Sequence, residues 1–262
     1  MVKDGIKRNI LSPYFCVSVI IMIFSMLCLS LPEWLAFDID ISEKPSALQM
    51  AVSGLFFGGY SLLLPFCSVF SGVTTFVDEI QNQFYCFELL RAGKRKYTYC
   101  KFIVSNIVGA ISMMLAFSLH AALWHIIAIP STPELYSSHM LTFADGCVYD
   151  ELFPIFHGLP MLIWITCSIG IVSFIWSAIG LATAIWIPDK CLVLTIPSCI
   201  YYLWARGIFK VLFGINIPIP SALFNDGITI SSSIVIIIIC TVIWYTCLLL
   251  YKSGLKRRML NE

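Results

Sequence analysis

The sequence predicts an all-α polytopic membrane protein with six transmembrane helices and both termini cytoplasmic. Three observations carry that expectation: a scarcity of charge, six long uncharged windows, and cations gathered on one side of them. Of 262 residues, 59% are hydrophobic and only 12% charged, against roughly a quarter charged in a soluble domain. The uncharged windows predict spans at about 11–31, 50–76, 102–129, 158–187, 191–212 and 231–251 within a single domain covering residues 1–262. A helix needs about 20 apolar residues to cross the hydrocarbon layer, and only a helix or a closed barrel satisfies its own backbone there.

Taken in order, Val2, Ile6 and Ile10 recur at i, i+4 beside Lys3, Lys7 and Arg8, which fits either an interfacial helix or a simple basic anchor. The first span outlasts the apolar core of a secretory signal, and Cys28-Leu29-Ser30-Leu31-Pro32 has no small-x-small cleavage pattern, so a retained helix is expected. The second span carries the GxxxG pair Gly54 and Gly58, then Ser61 and Ser68, and the fourth repeats the theme with Gly170, Ser173 and Ser177. Such small faces pack helices closely, or line a translocation path. The fifth window, Cys191 to Ala205, is short and spans only by running on past Arg206. Beyond it, the apolar and proline-bearing stretch from Arg206 to Ile230 predicts short re-entrant or interfacial helices on the outer side.

Charge sets the orientation. With six spans and a cytoplasmic N-terminus, 13 of the 16 Lys and Arg residues fall inside, and only Lys44, Arg206 and Lys210 outside. The outer side then holds nine acids: Glu33, Asp38, Asp40, Glu43, Glu134, Asp145, Asp150, Glu151 and Asp226. The inverted arrangement would violate the positive-inside rule.

Several kinds of chemistry are poorly represented. His120 and His125 sit five apart on one predicted helix, about 140° around its axis, and so cannot share an ion from one face. The eleven cysteines lie mostly within or at the ends of spans and contain no CxxC pair, which fits membrane-compatible filler rather than a disulfide or metal framework. No catalytic or metal site is therefore expected. The last three spans lack a histidine base for an intramembrane serine protease. No Asp, Glu, Lys or Arg falls within the five long spans to couple ion flow. No GxxxxGK[ST] phosphate loop occurs, so ATP and magnesium would have to enter through another chain.

The remaining place for energy to enter is the segment from Val77 to Lys101. Phe76, Ile80, Phe84, Phe87 and Leu90 fall within about 120° of arc, which predicts one amphipathic helix ending near Arg91. Asp78 and Glu79 near its start suit the helix dipole. Gly93 is the expected stop, followed by a basic turn of Lys94, Arg95 and Lys96, with Lys101 opening the next span, facing the anionic inner leaflet.

Here the chain resembles the permease subunits of ABC-2 type transporters, on Asp78, Glu79, Glu88, Leu89, Leu90, Ala92, Gly93, Arg95 and Lys101. It departs from their usual pattern with Gln83 where glycine is common and Gly93 where proline is common. The resemblance implies a dimer with a second permease copy or paralogue, two cytoplasmic ABC ATPase subunits, and no enzymatic activity or bound cofactor in this chain itself. It also implies a coupling helix built from Asp78, Glu79, Ile80, Phe84, Phe87, Glu88, Leu89, Leu90 and Arg91. The small size is similar to that of permeases exporting amphipathic peptides, such as lantibiotics or phenol-soluble modulins, from the bacterial plasma membrane. Membrane lipids are expected partners, and nucleic acid is not. The alternative is a six-span scaffold or assembly protein without transport activity.

Overall fold

The computed structural model of the chain describes residues 2–36, 46–56, 60–128, 147–148, 152, 158–207, 211, 218, 220–224 and 228–261. Over these residues the fold is all-helical: α1 (Val2–Ile10), α2 (Pro13–Ala36), α3 (Ala47–Phe56), α4 (Tyr60–Gly72), α5 (Thr74–Gln81), α6 (Phe84–Ala92), α7 (Lys94–Ile127), α8 (Leu159–Trp186), α9 (Lys190–Ala205) and α10 (Ile230–Asn261), with a 3₁₀ turn at Pro220–Phe224.

Among the described residues, four helices are long and apolar enough to cross a membrane: α2 over Pro13–Pro32, α7, α8, and α10 over Ile230–Met259. The bent pair α4 and α5 makes a fifth if it is one span. The six-helix expectation is therefore met only in part. The predicted 50–76 helix bends by 48° between α4 and α5, and its earlier part is described as α3 up to Phe56 and α4 from Tyr60. Pro65 removes a backbone donor inside α4. At the bend, the Thr74 hydroxyl donates to the Phe70 carbonyl at 2.5 Å, a back-bond of the kind that bends helices. The predicted 191–212 span ends at Ala205 after 16 residues, about 24 Å against a hydrocarbon layer of about 30 Å. It stops because Gly207, at φ 72°, turns the chain and donates to the Trp204 carbonyl at 2.9 Å.

Helices α7 and α8 form the mostly buried centre, while α2 and α10 leave more of their apolar surface exposed. Helix α8 packs against α7, α10 and α4, and α2 against α4 and α7. Small residues allow the close approach at the centre. A Cβ on Gly109 would lie 2.9 Å from the Ser68 carbonyl oxygen, and one on Gly180 would lie 2.6 Å from Val69. The Ser177 hydroxyl donates to the Ser68 carbonyl at 3.0 Å, and Ser71 and Ser112 share a 2.7 Å hydrogen bond. These links join α4, α7 and α8 where apolar burial alone would leave their rotation poorly specified.

The outer-side expectations lie largely outside the described residues. The acidic loop is described only at Cys147, Val148 and Leu152, and the stretch after α9 only at residues 206–207, 211, 218, 220–224 and 228–230. Gly58 and the side-chain surroundings of Gly54 and Ser61 also fall outside them.

Candidate functional site

One end of the bundle collects the start of α2, α7 and α9, the close of α5, α8 and α10, and both short helices α1 and α6. Its contacts are specific. Gln81 donates to the Pro188 carbonyl at 2.8 Å, tying α5 to the α8–α9 connection. From α10, the Lys252 ammonium donates to the Tyr99 hydroxyl at 2.6 Å and the Arg258 guanidinium to the Ile185 carbonyl at 2.6 Å. The second of these satisfies a carbonyl in the last turn of α8, where a cation also suits the helix dipole.

Glu79 is the centre of this end. Its carboxylate is 11% exposed and meets two cations. Lys101, 6% exposed, places its ammonium 2.6 Å and 2.5 Å from the two oxygens, and Arg8 donates to one of the same oxygens. The other arm of the Arg8 guanidinium reaches Glu88 at 2.9 Å, so one side chain of α1 fastens α5 to α6. Partial burial of Arg8 disfavours its charged form, but Glu79 and Glu88 more than offset this and raise its pKa above the ordinary arginine value. Around the pair lie apolar and aromatic groups: Lys101 stands 5.8 Å from the centre of the Phe76 ring, and Tyr251 contacts both Phe76 and Phe102.

Asp78 makes a second, more exposed cluster. Its carboxylate accepts from the Tyr14 hydroxyl at 2.9 Å and sits 2.5 Å from the Lys190 ammonium, which also donates to Tyr14 at 3.1 Å. Hydrogen bonds to Asp78 and Tyr14 raise the Lys190 pKa above the ordinary lysine value. Both charged groups are about a third exposed, so solvent screening limits this pair to less than about 1 kcal/mol.

Two expectations about this segment are corrected. The single amphipathic helix is two helices, because Gln83 adopts a left-handed conformation at φ 56° between α5 and α6. Asn82 closes α5, donating from both its backbone and its side chain to the Asp78 carbonyl at 3.0 Å and 2.9 Å. Asp78 and Glu79 thus lie in the last turns of α5, where the dipole opposes them, and their partners Lys101, Arg8 and Lys190 supply the compensation. The basic turn is likewise the first turn of α7: Lys94, Arg95 and Lys96 are exposed helical residues, and Lys101 is buried against Glu79 rather than facing a leaflet.

The break sends the predicted stripe in two directions. Phe76 and Ile80 are buried in the bundle. Phe84, Phe87 and Leu90 are 58%, 70% and 81% exposed, three large apolar side chains on one short helix. Helix α6 is anchored through Tyr85, which is buried, and Leu89, which packs on the core. Its last residue is Ala92, and Gly93 turns the chain at φ 76°, a conformation that favours glycine. Arg91 is exposed beside it.

The other predicted residues are placed inside the bundle. Ser68, Ser173 and Ser177 are fully buried, and Gly170 faces Met114 so closely that a Cβ would meet its sulfur at 2.6 Å. His120 is buried edge-on to Trp124, whereas His125 is exposed, in keeping with their separation around the helix. Among the described residues no group of His, Cys, Asp and Glu is arranged to hold a metal ion.

Arg8, Tyr14 and Lys190 were not singled out from the sequence. A signal was present: Asp78, Glu79 and Glu88 are carboxylates in a segment where Arg91, Lys94, Arg95, Lys96 and Lys101 make the net charge positive, and a carboxylate drawn out of water is costly unless a cation meets it. Which cations they find depends on how distant helices meet. No protein-family model, curated protein or solved structure matches the chain.

Proposed function

We propose that the chain is the permease subunit of an ATP-driven ABC-2 type exporter, with α6 as the coupling helix on its cytoplasmic side. One observation carries the reading: Phe84, Phe87 and Leu90 are exposed together on a short helix that is otherwise tied down by Tyr85, Leu89 and the Arg8–Glu88 ion pair. An apolar face on a rigid support fits a groove on a soluble partner, since little ordering entropy is lost on docking. The resemblance of this segment to ABC-2 permeases names the partner as an ABC ATPase, two copies serving two permeases, with ATP and magnesium held there. Force on α6 would pass through the half-exposed Arg8–Glu88 pair to the buried Glu79–Lys101 pair that joins α5 to α7, and only in that second pair is separating the charges costly. Amphipathic peptides are the proposed cargo and the bacterial plasma membrane the proposed location.

The test is co-purification with an ATPase carrying GxxxxGK[ST] and encoded beside this chain. Phe87→Asp with Leu90→Asp should weaken the complex at least tenfold and abolish permease-stimulated ATP turnover, leaving helix content unchanged. A wild-type chain that neither binds nor stimulates the ATPase overturns the reading. Glu88 is a poor probe of this contact, because its carboxylate is held by Arg8.

A further inference from the structure

A groove of about 410 Å³ opens between α1, α6 and α7. Its wall includes Arg8, Arg91, Lys96, Tyr97, Lys101 and Val104. We propose that it binds the phosphate headgroup of an anionic phospholipid.

The charges in the groove are not equivalent. Arg8 and Lys101 are held by Glu79 and Glu88. Arg91 and Lys96 are exposed and have no carboxylate partner among the described residues. The wall also contains Asp4 and Glu88. With Glu79 included, four cations face three carboxylates, and the surplus positive charge belongs to Arg91 and Lys96.

The Tyr97 ring, 1% exposed, forms part of the groove wall and fixes the first turns of α7 beside it. Helix α7 also begins without a side-chain cap, so its first amides and its dipole favour an anion.

The geometry favours a lipid over free phosphate. The groove lies where α7 passes from its basic first turn to the uncharged run starting at Phe102, which is headgroup depth for a helix that enters a bilayer. Val104 gives it an apolar wall, and α1, with Lys3 and Lys7 exposed, forms its other side. The same turn that stops α6 at Gly93 brings Arg91 and Lys96 to the one groove. The inference stands apart from the ATPase reading, since its assay contains no ATPase.

The experiment is native mass spectrometry of the full-length chain in detergent, titrated with phosphatidylglycerol or phosphatidylcholine of matched acyl chains, with inorganic phosphate as competitor. One phosphatidylglycerol should bind preferentially. Arg91→Ala with Lys96→Ala should weaken it about 25-fold, about fivefold for each cation removed near an anionic headgroup. Lys96→Arg should retain it, and Lys256→Ala, an exposed cation elsewhere, should leave it unchanged. The unfolding midpoint in phosphatidylcholine micelles checks that each variant is folded. Unchanged phosphatidylglycerol binding in the Arg91/Lys96 double variant overturns the site. Equal binding of the two lipids with saturable binding of inorganic phosphate overturns the lipid as its source.

Discussion

Helices α5 and α6 are neighbours in the chain and continue one apolar pattern, yet they have opposite fates. Phe76, Val77 and Ile80 of α5 are buried, whereas Phe84, Phe87 and Leu90 of α6 face outward. The difference comes from the turn at Asn82 and Gln83, which interrupts the 100° step and re-aims everything after it. Apolar periodicity reports that a face exists. It does not report whether that face belongs to the protein's own core or to something outside it.

The comparison can be broken most strongly at the ion pairs beneath it. Glu79→Ala should destabilise the chain by about 4 kcal/mol, because Lys101 would keep a buried charge with no partner. Chemical unfolding in detergent micelles reads this directly, and a loss below about 1 kcal/mol would mean that water already reaches Lys101. Next is the pairing of Phe76→Ala with Phe87→Ala. The first removes a ring packed on Tyr251 and should cost about 3 kcal/mol. The second, on the exposed face, should stay within about 0.5 kcal/mol. Equal losses from the two would erase the distinction between α5 and α6. The smallest effect is at the turn itself. A non-glycine residue in the left-handed region carries about 1–2 kcal/mol of strain, and glycine's own flexibility returns part of that. Gln83→Gly should therefore stabilise the protein by about 0.5 kcal/mol in the same assay, whereas Gln83→Val should destabilise it.

The turn also shows how much of this region could be read in advance. Gln83 hid the turn, because the sequence shows no glycine there although the backbone adopts a conformation that glycine favours. Gly93 was legible as a stop because glycine readily takes the positive φ with which helices commonly end. The exposure of Phe84, Phe87 and Leu90 was not legible. It requires knowing that Tyr85 and Leu89, on the other side of the same short helix, are the residues that reach the core.

The charged end was half legible for a similar reason. Asp78, Glu79 and Lys101 stood out in the sequence beside otherwise uncharged windows, whereas Arg8 and Lys190 looked like ordinary members of a basic side. Their partners are 71 and 80 residues away for Arg8, and Lys190 meets Tyr14 across 176 residues. Separations of this size leave no local periodicity to read.

Composition and the spacing of charges determined that the protein is helical with long apolar segments, since a backbone in hydrocarbon must satisfy its own hydrogen bonds. They also marked residues 77–101 as the unusual piece. Tertiary structure alone decided where that piece divides, which half is buried, and which cations neutralise Glu79 and Asp78. The physical reason is that helix formation is governed by near neighbours, whereas burial and charge compensation depend on which helices arrive beside one another.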